Sequence, residues 1–318
     1  MVTETLATYS LLGVYSAMAV YTIAFVLFTL DLSRRSAAST TRQDAAVAAA
    51  RGGGTAVLAP PITTSEASPK GPRYLRAAMA LTVLAWVLHV ASTVLRGIAA
   101  GRVPWANMFE FTLTATAVIV GVFLLVQFWQ DLRYLGVFVT GFATIALGVA
   151  TISFYVDVVP LPPALQSVWL VIHVLVATLG TGFFGLGAAL SILQLMRLRR
   201  DNGGLRKARF LDTVPVADRL ENLAYRLNIV GFVFWTFTLI AGAIWAERAW
   251  GRYWGWDTKE VWTFIIWVLF AGYIHARATR GWRGSRSAWL AIIGFAAVIF
   301  NFTIVNLFFK GLHAYSGL

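Results

Sequence analysis

Residues 227–262 read LNIVGFVFWTFTLIAGAIWAERAWGRYWGWDTKEVW, and the change of character at Glu247 decides the fold. The first 20 residues, 227–246, carry no charge, and about 20 apolar residues is the length a helix needs to cross a hydrocarbon core. The remainder mixes tryptophan with fixed charges and suits a loop at a membrane face. Working outward, the same search for long charge-free stretches finds eight, at 5–30, 77–95, 111–130, 134–156, 164–196, 227–246, 261–276 and 287–309. The seventh has only 16 uncharged residues, and it continues as a span if Arg277 and Arg280 snorkel outward. At 58% hydrophobic and 13% charged residues over 318 positions, the composition excludes a water-soluble enzyme. The expected fold class is all-α: a polytopic integral membrane helix bundle of about eight transmembrane helices.

Basic residues set the expected orientation. Alternate loops divide Lys and Arg into a set of 20 and a set of six, and the positive-inside rule places the larger set in the cytoplasm and both termini outside. The net charge of +12 thus belongs to cytoplasmic loops, and nucleic acid is not an expected partner. The first stretch lacks a basic leader and is followed by Arg34 and Arg35, so it reads as a retained helix. Residues 36–74, rich in Ala, Ser, Thr and Gly without apolar periodicity, read as a disordered cytoplasmic linker between an N-terminal helix at 1–35 and a seven-helix core at 75–318. Val216, Leu220, Leu223 and Leu227 fall at helical spacing, which predicts a short helix over 215–227 lying flat on the inner surface. With no cysteine, disulfides, thiolate metal sites and iron–sulfur clusters are excluded. No phosphate loop, nucleophile elbow or HExxH pattern occurs, so hydrolase and ATPase chemistry has no visible residues.

Two signals remain. The first is the loop at 245–262, which holds five of the 13 tryptophans (Trp245, Trp250, Trp254, Trp256 and Trp262) together with Tyr253. An interfacial aromatic belt is the plain reading, yet a belt needs no ions between its rings, and here Arg248, Arg252, Asp257, Lys259 and Glu260 interleave with them. Flat π faces beside fixed cations suit a planar, hydrophobic, anionic ligand such as a porphyrin. Asp257 and Glu260 are expected to pair with Arg252 and Lys259 and fix the loop. The second signal is the placement of all four histidines. His89 lies on one stripe with Thr82, Trp86, Thr93 and Arg96, which should face the bundle interior; His275 aligns with the small residues Gly272 and Thr279; His173 stands near the start of its span with Ala177 and Gly180; and His313 follows the last span. A lone intramembrane histidine is commonly a packing residue. Four at two depths allow two bis-histidine haem sites. Glu110, at the start of the third span, could cap its helix or receive a ligand's proton, with capping preferred.

WGRYWGWDTKEVW (250–262) resembles the tryptophan-rich WWD signature of haem-handling proteins. With VPWANMFEF (103–111), LPPALQSVWLVIH (161–173), GFVFWTFTLIAGAIWA (231–246), YIHAR (273–277) and NLFFKGLHAY (306–315), the chain is similar across most of 75–318 to cytochrome c biogenesis proteins of the CcsA/ResC type, called CcsB in some bacteria. The resemblance implies the haem-binding subunit of a holocytochrome c synthase (haem lyase) complex in the plasma membrane, with its active face extracytoplasmic. It implies haem b as transported substrate and ligand, held in the membrane by His89 and His275 and at the outer face by His173 and His313. Trp250, Tyr253, Trp254, Trp256, Asp257 and Trp262 would form the platform, and Arg252 and Lys259 would be candidate propionate contacts. The implied partners are a separate ResB/CcsB-type membrane protein, an apocytochrome c bearing CxxCH and, indirectly, thiol-reducing proteins. Orientation and proximity would then drive thioether formation without a covalent enzyme intermediate. A haem-containing transmembrane electron carrier and a haem exporter without synthase activity are the alternatives.

Overall fold

The computed structural model describes residues 2–51, 73–158, 165–205, 207–279, 281–309 and 311–312. Among them the regular structure is entirely helical: α1 (Val2–Arg51), α2 (Arg73–Ala100), α3 (Met108–Val126), α4 (Gly136–Ser153), α5 (Val168–Asp201), α6 (Ala217–Trp250), α7 (Thr258–Thr279), α8 (Ser285–Phe302) and the single turn α9 (Ile304–Phe308), with short 3-10 turns at Arg133–Leu135 and Arg209–Thr213. Eight helical segments are long and apolar enough to cross a bilayer, α8 and α9 together forming the last, so the chain is a multi-pass membrane protein.

Four boundaries depart from the sequence reading, each for a physical reason. Residues 36–51, expected in a linker, continue α1, because an alanine-rich stretch favours helix without needing a core to pack on; residues 52–72 lie outside the described residues. Nor is there a separate flat helix at 215–227. Leu220, Leu223, Ala224 and Leu227 are buried in the main core as the first turns of α6. Arg277 does not snorkel outward: its Nε lies 3.2 Å from Glu221 Oε1, and its guanidinium covers the Tyr225 ring at 4.1 Å. Glu110 is more than a cap. It is fully buried, with Arg96 Nε at 3.1 Å and Arg102 Nη1 at 2.5 Å, while Asn107 takes the cap position, its Oδ1 accepting from the Glu110 N–H.

Two packing devices organise the bundle. Small residues bring backbones together: Ser10 and Ser92 exchange hydroxyl-to-carbonyl bonds of 2.8 and 3.0 Å across α1 and α2, beside Gly13. Between α5 and α6, a Cβ at Gly180 would come within 3.3 Å of the Gly231 carbonyl oxygen, and one at Gly187 would collide with Asn228. α5 is the hub of the molecule, turning Phe183 toward the core shared with α1–α4 and Phe184 onto Phe270 of α7, stacked at 3.5 Å. Buried ions pin both ends. Glu110 joins α2 to α3 at the end carrying the tryptophan loop. At the far end Glu221 accepts from Arg277 of α7, Ser287 of α8, the Gly284 N–H and Gln194 of α5.

Candidate functional site

The site is built on the close pairing of α5 with α6. At Gly242 of α6 the neighbour across the interface is His173 of α5, and a Cβ there would lie 2.8 Å from the imidazole Cε1 and 2.9 Å from Nδ1, so the ring fits only because position 242 lacks a side chain. His173 Nδ1 is 2.9 Å from the Thr238 carbonyl oxygen. A carbonyl only accepts, so the proton resides on Nδ1 and the lone pair on Nε2. The ring also lies near-parallel to Trp245, with centroids 5.7 Å apart and planes at 25°. A backbone carbonyl fixing tautomer and orientation is the arrangement that tunes an imidazole to ligate a metal.

His173 lines a cleft that opens at the protein surface and holds about 1110 Å³ of space, its open mouth included. Trp105, Asn107 and Met108 come from the turn into α3; Trp245, Tyr253 and Trp254 from the end of α6 and the tryptophan loop; Lys259 and Glu260 from the start of α7; Asn301 and Asn306 from α8 and α9. One wall is continuous with an aromatic cluster of Leu165, Leu170 and Trp245, against which Trp105, Trp169 and Trp250 pack. The cleft is thus largely apolar and aromatic, with a few polar groups and one lysine.

The loop over this cleft is held by the Glu260 carboxylate. Its Oε2 accepts from the N–H groups of Gly255 at 2.8 Å and Asp257 at 3.1 Å, and Oε1 lies 3.3 Å from Arg252 Nη1. The Asp257 carbonyl accepts the first helical bond from Val261, so Asp257 stands at the start of α7 and Glu260, three residues on, reaches back to its N–H. Gly255 cradles the Arg252 guanidinium, which would overlap any Cβ there. Trp256 adopts φ +61, a left-handed conformation unusual for a bulky residue, and is 74% exposed. The Asp257 carboxylate sits against Gly311, where a Cβ would lie 2.2 Å from Oδ1, so Gly311 packs directly on the loop.

The residues singled out from sequence therefore separate. His173, Tyr253, Trp254 and Lys259 converge on the cleft. Trp250 supports its wall through Trp245, ring centroids 4.8 Å apart, whereas Trp262 turns onto Phe300 of α8 at 4.4 Å. Arg252 is engaged by Glu260, as expected; Lys259 instead bonds Asn306 Oδ1, because α9 and not the loop faces it. His313 lies outside the described residues. His89 is fully buried among its stripe, its Nε2 donating to the Leu113 carbonyl at 2.9 Å and its Nδ1 3.4 Å from the Tyr21 hydroxyl. His275 is exposed, beside the open face at Gly272, in a shallow recess lined by α7, Trp282 and Leu290. Neither the loop-end cleft nor the recess at His275 is lined by His89. Sequence reasoning missed Asn107, Thr238, Gly242 and Asn306 as site residues. The first and last fall in VPWANMFEF and NLFFKGLHAY, where an amide in an apolar run was the available signal.

Comparison with known proteins finds relatives over most of the chain. Residues 74–313 match the family model described as Cytochrome C assembly protein. Cytochrome c biogenesis protein CcsA of Guillardia theta is 34% identical over 254 residues, covering 74% of this chain and 84% of the relative. CcsA of Gloeobacter violaceus is 34% identical over 274 residues, covering 70% and 81%. Among solved structures, cytochrome c heme lyase CcmF shares the fold, with a TM-score of 0.63 at 17% identity; the match takes in 93% of this chain and 46% of CcmF, about half its length.

Proposed function

This chain belongs to the cytochrome c assembly protein family and is a membrane protein of cytochrome c biogenesis, and we propose that its loop-end cleft receives haem b as cargo and presents it to an apocytochrome c. The observation that carries this reading is His173: a carbonyl-oriented imidazole with its lone pair on Nε2, lining an aromatic cleft beneath the tryptophan loop. His173 would supply one ligand to the iron, and His313, two residues beyond Gly311 in sequence, would supply the other. Trp254 and Tyr253 face the macrocycle, and Trp105 and Trp245 close the wall behind it. The cleft lies at the extracytoplasmic side of the plasma membrane, with both termini on that side.

The chemistry asked of the protein is modest. Held at a fixed orientation, the vinyl groups meet the two thiols of a CxxCH segment at high effective concentration, and no protein nucleophile is required. The histidine of CxxCH then replaces one imidazole ligand. The thiols belong to the substrate and are kept reduced by other proteins, in keeping with a chain that has no cysteine. A ResB/CcsB-type membrane protein is the partner. The inner pair, His89 and His275, is retained as a second proposed site. At His89 the Leu113 carbonyl fixes the lone pair on Nδ1, where the long 3.4 Å contact with Tyr21 is the bond that iron would replace. Bringing the two histidines onto one macrocycle requires rearrangement at the α7 face.

The test is co-expression of the full chain with a ResB-type partner and a secreted CxxCH reporter, scoring haem that stays on the reporter after denaturation. The proposal expects covalent haem with the wild-type chain and its loss with His173→Ala. Free haem outside the cell without covalent product would indicate an exporter. Permanently bound haem with no effect on the reporter would indicate an electron carrier.

A further inference from the structure

We infer that Lys259 and Asn107 form a carboxylate subsite in the cleft, so that a bound tetrapyrrole is held by its carboxylate edge at the α7–α9 wall and turns its opposite edge away from it. This rests on the reading of the cleft as a haem site. Lys259 lines the cleft, and among the described residues its ammonium has no ion-pair partner: it bonds Asn306 Oδ1, approaches the Asn301 carbonyl at 3.5 Å and lies 5.3 Å from the centre of the Phe302 ring. Neither nearby carboxylate forms an ion pair with it: Glu260 is engaged by the loop N–H groups, and Asp257 lies against Gly311, its charge reaching Lys259 only at longer range. Asn107 is 4% exposed. Its Oδ1 caps α3, and its Nδ2 is buried with no hydrogen-bond partner among the described residues.

The two donors belong to one locale, because Asn306 accepts from Lys259 and its Nδ2 reaches the sulfur of Met108, next in sequence to Asn107, at 3.5 Å. A cation held by a neutral amide and a pair of buried N–H groups without an acceptor share one deficiency. Both lack an anion. A carboxylate supplies two oxygens and a charge, satisfies the ammonium and the amide together, and leaves Asn306 as the neutral place-holder it displaces. Iron protoporphyrin carries its two carboxylates on one edge and its vinyl groups elsewhere on the ring. With iron on His173, anchoring that edge at Lys259 and Asn107 selects which edge remains available to an incoming peptide.

The experiment titrates the purified full chain, under reducing conditions, with iron protoporphyrin IX and with its dimethyl ester. It follows absorbance and tryptophan quenching on the component of binding that His173→Ala removes. The diacid should bind about ten- to a hundredfold tighter than the diester, the range expected for a charge-assisted contact. Lys259→Met and Asn107→Asp should each remove most of that preference, lowering diacid affinity far more than diester affinity; Asp keeps the α3 cap and replaces the N–H donors by a negative charge. Equal binding of diacid and diester by the wild type, or an equal loss of both in Asn107→Asp, would overturn the subsite while leaving the haem reading intact. Binding of neither porphyrin by the wild type would overturn both.

Discussion

Replacing Gly242 by alanine perturbs the site at one atom, and its effect can be worked from distances. The added Cβ would lie 2.8 Å from His173 Cε1. Ordinary carbon–carbon contact is near 3.6 Å, so the ring must retreat by roughly 0.8 Å or α6 must move away from α5. Either movement stretches the 2.9 Å bond from Nδ1 to the Thr238 carbonyl, which orients the ring and sets its tautomer. Losing that bond costs about 1 kcal/mol, and misdirecting an axial ligand adds a comparable amount. Together these amount to about 1–2 kcal/mol, or roughly five- to thirtyfold in haem affinity. Alanine favours helix over glycine by about 1 kcal/mol, which works against global unfolding as the cause. The assay is haem titration of the purified variant beside Gly148→Ala, whose Cβ would meet only Met18 Cε at 3.4 Å. Wild-type affinity and spectrum in Gly242→Ala would show that the imidazole does not hold iron in this geometry.

Three further outcomes are expected. Glu221→Ala leaves Arg277 buried without its carboxylate and unties α5, α7 and α8 from α6 at the far end, so thermal unfolding in detergent should show a loss of about 3–5 kcal/mol; an unchanged midpoint would refute the staple. Glu260→Gln keeps the shape of the cap but weakens the pair with Arg252 and the bonds to the loop, so limited proteolysis should cut 251–256 faster, whereas equal cleavage rates would count against loop anchoring by this carboxylate. The hydrogen bond from Arg200 holds the Asp212 carboxyl below its ordinary value. A group depressed in the folded state stabilises above its unfolded value of about 3.9 and loses that contribution as pH falls through the lower folded value. The 202–214 segment should therefore become more protease-sensitive below about pH 4 in the wild type, and Asp212→Asn should flatten that dependence. A parallel pH profile in the variant would reject the linkage.

The spans were legible because the cost of placing charge in hydrocarbon is large enough to show as gaps in the charge pattern, and eight gaps became eight helices. Their ends were not. The spacing of Val216, Leu220, Leu223 and Leu227 suits a surface helix as well as a buried one, because the partner that buries Glu221 among them is Arg277, 56 residues away and on another helix. Local pattern carries no such information. Alanine-rich 36–51 was misjudged for a related reason, since absence of apolar periodicity argues against a packed core but not against a helix. At the site, His173 and the tryptophan loop stood out by composition, and the loop's internal tether, Arg252 to Glu260, followed from opposite charges eight residues apart. The partner of Lys259 did not follow, because α8 breaks at Thr303 and the turn of α9 brings Asn306 to it. Gly242 was one small residue among many until the structure set it against an imidazole.

The central claim is that His173 ligates haem in the cleft beneath the tryptophan loop. The most direct measurement is the reduced absorption spectrum and haem content of the purified chain against His173→Gly, each with and without added imidazole. Loss of low-spin haem in the variant and its return with imidazole are predicted. Equal haem and an identical spectrum in both proteins, indifferent to imidazole, would contradict the account.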